Sequence, residues 1–135
     1  MSDVEGIKKS VGEGYRKTIE EYDKTILAIP YNQGIEETVT YSTDELSAVC
    51  PVTGLPDNYT LHIEIIPHKL VPELKSLKMY LLSYRNTGIL HEDLAPKILK
   101  DLINVVHPKY IKLSLLTATR GGVVTKVEVE NGTKG

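Results

Sequence analysis

The chain has 135 residues, which is a normal length for one domain and too short for two domains of ordinary size. Apolar residues make up 41% of it and charged residues 25%, so the chain can bury a core and still carry a well-solvated surface. A formal net charge of −2 argues against a general nucleic-acid binder or a polybasic membrane-surface protein. A single cysteine excludes an internal disulfide. The first residues contain no apolar stretch of the signal-peptide type, and no apolar run is long enough to span a membrane. We therefore expect a cytoplasmic protein with no membrane partner.

The N-terminal part of the chain differs from the rest. Residues 1–30 are crowded with charges and have a thin apolar face, which favours an arm that becomes ordered only by docking. Residues 31–135 are expected to form a single domain. Within it, we predict a strand over residues 35–41, a turn-rich loop over residues 42–58, and a strand with alternating apolar and polar side chains over residues 59–66.

The second half of the domain contains two predicted helices followed by two predicted strands. Leucines at helical spacing predict a helix over residues 73–85, with Gly88 as a left-handed stop. A second helix is predicted over residues 92–106, with acidic residues in its first turn. Strands are predicted over residues 110–117 and 123–130.

The order of these elements predicts the fold class. Strand, strand, helix, helix, strand, strand is typical of an α+β domain in which two helices lie on one face of an antiparallel sheet. A four-stranded sheet has two edges with unpaired backbone groups, and another subunit often pairs with such edges. A ring-forming homo-oligomer is the hypothesis that follows.

Cys50 is the first candidate for chemistry. A lone cysteine is most often a small buried apolar residue. Cys50, however, lies in a polar, proline-constrained loop, and Asp57 follows beyond a turn that can fold its carboxylate back towards the sulfur. A neighbouring acid/base group can take the thiol proton and later deliver it to a substrate. Asp57 is equally typical of a simple turn residue.

A second candidate is the pair His91 and Glu92 at the start of the second helix. An acidic residue in a first turn commonly does no more than stabilise the helix. A fixed carboxylate can also accept two N–H groups from a guanine-like edge, and His91 could add a hydrogen bond or a proton. The sequence leaves both interpretations open.

A third candidate is the cationic face of the first helix. Lys75 and Lys78 are three residues apart, share one side of the helix and can bind phosphate, although such faces are usually only solvated. Arg120 precedes two glycines that allow close approach of an anion to the backbone.

No histidine or cysteine spacing predicts a metal site. No Gly-x-Gly-x-x-Gly motif follows a predicted strand, so a dinucleotide would bind outside a Rossmann fold.

Five short motifs occur in a fixed order along the chain: Cys50-Pro51-x-Thr53-Gly54-x-Pro56-Asp57, Glu73-Leu74-Lys75-Ser76-Leu77-Lys78, Ser83-Tyr84-Arg85-Asn86, His91-Glu92-Asp93 and Arg120-Gly121-Gly122. Together they resemble the single-domain 7-cyano-7-deazaguanine reductases, relatives of GTP cyclohydrolase I in the tunnelling fold (T-fold). The resemblance covers about residues 35–130 and leaves out the N-terminal arm. That family is built from a ββααββ unit and forms rings, for example two stacked pentamers, with its sites at subunit interfaces.

The resemblance implies a role for each candidate residue. Cys50 would attack the nitrile carbon of 7-cyano-7-deazaguanine to give a thioimide, and Asp57 would act as general acid/base. Glu92 would hold the guanine-like edge, with His91 beside it. Two NADPH would then reduce the nitrile to the amine of 7-aminomethyl-7-deazaguanine, in the biosynthesis of the modified tRNA base queuosine. The residues implied in NADPH binding are Glu73, Lys75, Ser76, Lys78 and Arg120.

Three alternatives remain beside this interpretation. Relatives that form archaeosine use the same thioimide for an amidinotransferase reaction on tRNA, but by resemblance they lack the lysine-rich motif that is intact here. A non-catalytic module that binds a purine or pterin through Glu92 is disfavoured because Cys50 and Asp57 are both present. A zinc-dependent cyclohydrolase is disfavoured because this sequence lacks the Cys and His residues that would bind the zinc. Many reductases also carry a second cysteine at the position of Leu94, so a protective intramolecular disulfide is not expected here.

Overall fold

The computed structural model describes residues 25–118 and 121–134 of the chain. Their order confirms the predicted α+β class and the ββααββ arrangement around the main sheet. The elements are β1 (Ala28–Pro30), β2 (Val39–Val49), β3 (Pro56–Ile66), β4 (Leu70–Pro72), α1 (Leu74–Leu82), a 3₁₀ helix (Ser83–Asn86), α2 (His91–Val106), β5 (Tyr110–Thr117) and β6 (Lys126–Gly132). None of the helices in these described ranges is both long and apolar enough to cross a membrane.

The main sheet has four strands in the order β2-β3-β5-β6, and every neighbouring pair is antiparallel. Strands β1 and β4 form a separate two-stranded sheet. Side chains alternate along β3, so that Leu61, Ile63 and Ile65 are buried while His62 is exposed. The core lies on one face of the main sheet, under α1 and α2, and the opposite face is polar.

The predicted loop over residues 42–58 is wrong for most of its length. Strand β2 continues to Val49 and β3 already begins at Pro56, so the connection between them is much shorter. A β-bulge between Thr43 and Leu46 breaks the alternation of apolar and polar side chains in β2. Because strand prediction depends on that alternation, a bulged strand with a polar outer face resembles a loop in the sequence.

The helix boundaries and the last strand also differ from the predictions. The first helix ends at Leu82 and tightens into a 3₁₀ turn, where the Ser83 hydroxyl donates to the carbonyl of Tyr80. Gly88 is not in the left-handed conformation that was predicted for it; His107, at the end of α2, is. The last strand runs over Lys126–Gly132, starting and ending later than predicted.

The chain already packs onto the domain near residue 26. Ile26 is buried with the core, and β1 pairs with β4. The backbone N–H of Leu27 donates to the Ser76 hydroxyl, and its carbonyl accepts from Glu73 N–H, which ties this segment to the start of α1. The arm is predicted over residues 1–30, and its residues 1–24 lie outside the described residues.

Candidate active site

Cys50 begins the turn that connects β2 with β3. The N–H of Cys50 donates to the carbonyl of Leu55 at 2.9 Å, and the N–H of Gly54 donates to the carbonyl of Cys50 at 2.8 Å. Gly54 has φ of +75°, a backbone conformation that glycine adopts without the penalty of a Cβ. These contacts close residues 50–55 into a compact turn, and they leave Cys50 half-buried.

The β-bulge in β2 determines which face of the sheet the sulfur occupies. Before the bulge, the odd-numbered residues pair with core-facing partners, as Tyr41 does with Ile63. After it, the even-numbered residues Leu46 and Ala48 are buried. By the same alternation, Cys50 lies on the helix-covered side. If the same residues ran through this point in regular alternation, with no bulge, Cys50 would point to the opposite, polar face.

Asp57 lies on that same side, close to Cys50. It pairs directly with Ala48, two residues before the cysteine, so Asp57 and Cys50 are diagonal neighbours across the β2–β3 ladder. Asp57 is half-buried, and its carboxylate acts electrostatically on the thiol. The structure therefore brings together the two residues that the sequence proposed as nucleophile and acid/base group.

A short backbone bridge brings the start of α2 to the same place. Val49 forms an isolated parallel bridge with Gly88. The N–H of Val49 donates to the carbonyl of Thr87 at 2.9 Å, and the carbonyl of Val49 accepts from the N–H of Ile89 at 3.1 Å. Gly88 also lies against Pro51, since a Cβ built on it would be 3.8 Å from the Pro51 Cβ. The N-terminus of α2 thus lies next to the Cys50 turn.

His91 and Glu92 stand at this N-terminus. The Nε2 atom of His91 is 3.3 Å from a carboxylate oxygen of Glu92, and the imidazole packs edge-on against Tyr59, with ring centroids 6.4 Å apart. Tyr59 is buried and lies two residues beyond Asp57 on the same face of β3. The His91 side chain is 25% exposed and that of Glu92 63%, so the carboxylate is open to a ligand while the imidazole is held by the protein.

The turn of residues 50–55 favours ionisation of the Cys50 thiol. Hydrogen bonds from the Thr53 hydroxyl, and from the backbone N–H groups of Thr53 and Val52, lower the pKa of Cys50 below its usual range. Partial burial and the negative charge of Asp57 act in the opposite direction but do not prevail. A lowered thiol pKa is typical of a nucleophilic cysteine.

The predicted cofactor motif lies at the start of α1, where two of its members have structural contacts. The Glu73 carboxylate caps the helix by accepting from the N–H groups of Lys75 and Ser76, at 2.7 and 2.8 Å. These backbone bonds lower the pKa of Glu73. The Ser76 hydroxyl donates to the Glu73 carbonyl and accepts from Leu27 N–H. Both residues shape the helix start, and their predicted part in cofactor binding remains a prediction.

The two lysines of the motif face outwards. Lys75 and Lys78 are exposed, and neither forms an ion pair within the described ranges 25–118 and 121–134. Lys78 lies at a mostly apolar cleft of about 430 Å³ between α1 and β2, whose wall includes Thr43 and Leu46 beside the bulge. An apolar cleft with a free ammonium group at its border suits a ligand that has both a flat ring and phosphate groups. Arg120, the remaining cationic candidate, lies outside the described residues.

Two contributors to this site were not identified from the sequence. Thr53 belongs to the first motif, and a hydroxyl residue three positions after a cysteine in a tight turn is a signal for a donor to the sulfur. Tyr59 is the first residue of a predicted strand, and nothing in the neighbouring sequence indicates its contact with His91.

The comparisons with known proteins agree with this geometry. A family model described as QueF-like protein matches residues 56–135 of the chain. The chain belongs to the QueF-like family. It is 48% identical over 110 residues to the NADPH-dependent 7-cyano-7-deazaguanine reductase of Caldanaerobacter subterraneus subsp. tengcongensis, a match that covers 80% of this chain and 82% of that protein. It is 49% identical over 110 residues to the enzyme of the same name from Caldicellulosiruptor bescii, covering 80% and 84%.

Among solved structures, the chain is similar to that of the archaeosine synthase QueF-Like in the apo form. The TM-score is 0.67 at 31% sequence identity, and the match covers 73% of this chain and 96% of that one. This neighbour supports the QueF-like fold with its two helices on an antiparallel sheet. Its own name corresponds to the amidinotransferase alternative, so the fold alone does not separate the two activities.

Proposed function

We propose that this QueF-like protein is an NADPH-dependent 7-cyano-7-deazaguanine reductase of queuosine biosynthesis, with Cys50 as its nucleophile. The observation that carries the proposal is the convergence of Cys50, Asp57, His91 and Glu92 at one end of the sheet. Relatives 48–49% identical, matched over most of their length, are named as this enzyme. We also propose a cytoplasmic location, because a free catalytic thiol is preserved in a reducing compartment.

The first chemical step is addition of the thiol across the nitrile. The sulfur of Cys50 forms a bond to the nitrile carbon, and one of the carbon–nitrogen π bonds breaks. Asp57 takes the proton from the thiol and passes it to the nitrile nitrogen, which leaves a neutral thioimide on Cys50. The lowered pKa of the thiol makes its proton easier to remove.

The base is oriented by the start of α2. A guanine-like edge has two neighbouring N–H donors, and the exposed carboxylate of Glu92 can accept both in a bidentate, charge-assisted pair. His91, held between Glu92 and Tyr59, provides a fixed neighbour for the ring. With the base held in this way, its nitrile substituent would point towards the Cys50 turn.

The cofactor is proposed to bind along α1. When bound, NADPH would supply hydride. Two NADPH molecules would provide the four electrons needed to reduce the nitrile to the amine. Lys75 and Lys78 would meet its phosphates, with Glu73 and Ser76 holding the helix start in shape and Arg120 adding a further cation. The exposed ammonium groups and the adjoining apolar cleft fit such a ligand.

We also propose that the protein is a homo-oligomeric ring. Strands β2 and β6 are the edges of the main sheet. Apart from Val49, which pairs with the segment around Gly88, their outer backbone groups would be available for pairing with neighbouring subunits. Residues 31–135 would form the catalytic domain of each subunit. Light scattering coupled to gel filtration would test this, and a monomer at working concentration would contradict it.

The reductase is tested by mixing purified protein with 7-cyano-7-deazaguanine and NADPH and following the loss of reduced-nicotinamide absorbance. We expect two NADPH consumed per nitrile, complete loss of consumption in Cys50→Ser, and a raised KM for NADPH in Lys75→Gln/Lys78→Gln. Lys100→Gln, an exposed lysine on α2, is the matched control and should behave as wild type. If no NADPH is consumed, the reductase proposal is wrong.

The second candidate is the archaeosine-forming amidinotransferase, which the structural neighbour favours. It predicts that the thioimide forms on Cys50 without any NADPH consumption. Ammonia and tRNA that carries the nitrile base would then yield the amidine. Intact-mass analysis of the protein with the free base, followed by assay with that tRNA, separates this activity from the reductase.

A further inference from the structure

We propose that Arg85, on the 3₁₀ helix that follows α1, binds a phosphate group of the nicotinamide cofactor. This inference deepens the proposed function and rests on a phosphate-bearing cofactor lying along α1. It follows from a groove that joins Lys78 to Arg85 and reaches the Cys50 turn.

Two adjoining clefts form this groove. The apolar cleft of about 430 Å³ between α1 and β2 has Lys78 in its wall. A second cleft of about 550 Å³ continues from the first, since Glu45 and Leu82 line both of them. Arg85 lines the second cleft together with Gly54 of the Cys50 turn. The groove therefore extends from α1, past the 3₁₀ helix, to the edge of the candidate site.

Helical geometry places Lys78 and Arg85 on the same side of this segment. Leu82, the last residue of α1, comes four positions after Lys78, and Arg85 follows three positions later in the 3₁₀ helix. Four α-helical residues and three 3₁₀ residues each complete about one turn. The rise per residue puts the two backbones roughly 12 Å apart along the axis. Two cations at this spacing, on long side chains, can contact two phosphate groups of one dinucleotide.

The turn that carries Arg85 is anchored on two sides. Ser83 and Tyr84, which precede Arg85, are buried in the protein. The N–H of Thr87 donates to the carbonyl of Tyr84, and the carbonyl of Thr87 accepts from the N–H of Val49, both at 2.9 Å. The backbone at Arg85 is thus fixed relative to the core and to β2, so little ordering is needed for its side chain to bind a ligand.

The side chain of Arg85 is exposed and available to a ligand. In the described ranges 25–118 and 121–134 it forms no ion pair. A guanidinium group donates two parallel N–H groups to phosphate oxygens, a geometry that an ammonium group lacks. Arg85 can therefore supply a bidentate contact that the lysines of α1 cannot.

The charges along the groove match the order of groups in NADPH. Glu45 lies where the two clefts meet, between Lys78 and Arg85. A carboxylate at that point repels a phosphate group but accepts hydrogen bonds from ribose hydroxyls. In NADPH, the adenosine ribose lies between the 2′-phosphate and the pyrophosphate. The sequence cation, carboxylate, cation thus fits phosphate, ribose, phosphate.

The test is isothermal titration calorimetry of the full chain with NADPH, without any nitrile. We expect Arg85→Gln to weaken NADPH binding by roughly ten- to a hundredfold, as the loss of a charge-assisted hydrogen bond typically does. Arg85→Lys should recover part of the affinity, because it keeps the charge but not the fork. Lys100→Gln is the matched control and should bind NADPH as wild type does.

A parallel titration with NADH distinguishes the two phosphate positions. If Arg85→Gln weakens the binding of NADPH but not of NADH, the contact is with the 2′-phosphate. If both are weakened, the contact is with the pyrophosphate. In steady-state assays the loss should appear in KM for NADPH and not in kcat, and the melting temperature should not change.

Equal NADPH affinity in wild type and Arg85→Gln would overturn the inference. A lowered melting temperature with the same affinity loss in Arg85→Lys and Arg85→Gln would also overturn it, since the role would then be structural. Binding that depends on Arg85 but leads to no nitrile reduction would remove the reductase and leave the inference standing. Nitrile reduction with an unchanged KM in Arg85→Gln would do the reverse. If wild type binds no NADPH, both are wrong.

Discussion

Val49 and Gly88 pair through their backbones in an isolated parallel bridge, and this pairing joins the two halves of the candidate site. On one side of the bridge, Cys50 follows directly after Val49. On the other, α2 begins three residues after Gly88, at His91. The nucleophile and the proposed base-binding pair are therefore positioned by hydrogen bonds that involve no side chain.

This bridge can be tested by removing one of its donors. Ile89→Pro removes the N–H that donates to the Val49 carbonyl. We expect a loss of about 1–3 kcal/mol in the free energy of unfolding, because a backbone acceptor loses its partner. We expect kcat/KM for nitrile reduction to fall by about 10²-fold, as misplaced reacting groups typically cause. Urea unfolding and steady-state kinetics measure the two effects.

Ile89→Ala is the matched control for that substitution. It shortens the same half-buried side chain but keeps the N–H. Its kcat/KM should stay much closer to wild type than that of Ile89→Pro. Equal losses in the two variants would show that the side chain, and not the bridge, positions the site.

The β-bulge in β2 gives a second prediction. Deleting both Asp44 and Glu45, the exposed residues of the bulge, moves Leu46 opposite Thr60 and turns Cys50 to the polar face of the sheet. We expect no NADPH consumption and a lowered melting temperature, because Leu46 and Ala48 would leave the core together with the cysteine. Deleting Asp44 alone is the control: Glu45 then lies opposite Thr60 and Leu46 stays opposite Tyr59, so activity should be retained. An active double-deletion variant would show that the alternation after the bulge does not determine the side on which Cys50 lies.

A third prediction concerns a buried hydroxyl network between α1 and α2. The Tyr80 hydroxyl donates to Asp101 and is 2.8 Å from the Tyr84 hydroxyl. Burial, together with these contacts, raises the pKa of Tyr80 well above its usual range. A raised pKa in the folded state means that the contribution to stability is fully present below the unfolded pKa of about 10 and is lost as the pH rises above it.

We therefore expect the free energy of unfolding of wild type to fall above about pH 10, with Tyr80 contributing a slope of up to about 1.4 kcal/mol per pH unit. Tyr80→Phe should show a shallower decline and, near neutral pH, a loss of about 1 kcal/mol for the missing hydrogen bonds. Lys97→Ala removes only the exposed partner of Asp101 and serves as control. Identical alkaline slopes for wild type and Tyr80→Phe would contradict the assignment.

A fourth prediction separates the capping role of Glu73 from its proposed part in cofactor binding. Its pKa is lowered by the N–H groups of Ser76 and Lys75, so its contribution to stability is present above the unfolded pKa and is lost as pH falls through the lower folded value. We expect Glu73→Ala to lower the melting temperature at neutral pH. The difference from wild type should shrink below about pH 4.

Thermal melts between pH 3 and pH 8 make that comparison. Ser76→Ala, which removes the side-chain contact with Leu27 but leaves the capping carboxylate, is the companion variant. If Glu73→Ala raises the KM for NADPH without any change in melting temperature, the residue acts on the cofactor and not through the cap.

Much of the fold was predictable from local sequence pattern. The alternation in β3 and the apolar faces of the two helices are properties of short segments, and the structure confirms the elements built on them. The prediction failed where the pattern depends on a distant partner. Strand β4 has only three residues, and β1 pairs with it across 40 to 44 positions of sequence. Neither short strand can be stable without the other.

The sequence by itself determined the chemical identity of the candidate site: one cysteine, a carboxylate seven residues later, and a His-Glu pair at a helix start. Only the tertiary structure decided their arrangement. The bulge determines the face of the sheet on which Cys50 lies, and the Val49–Gly88 bridge positions the His-Glu pair next to Cys50. Both features depend on backbone hydrogen bonds between different segments of the chain. Because every residue offers nearly the same backbone groups, those bonds leave little trace in the identity of the side chains.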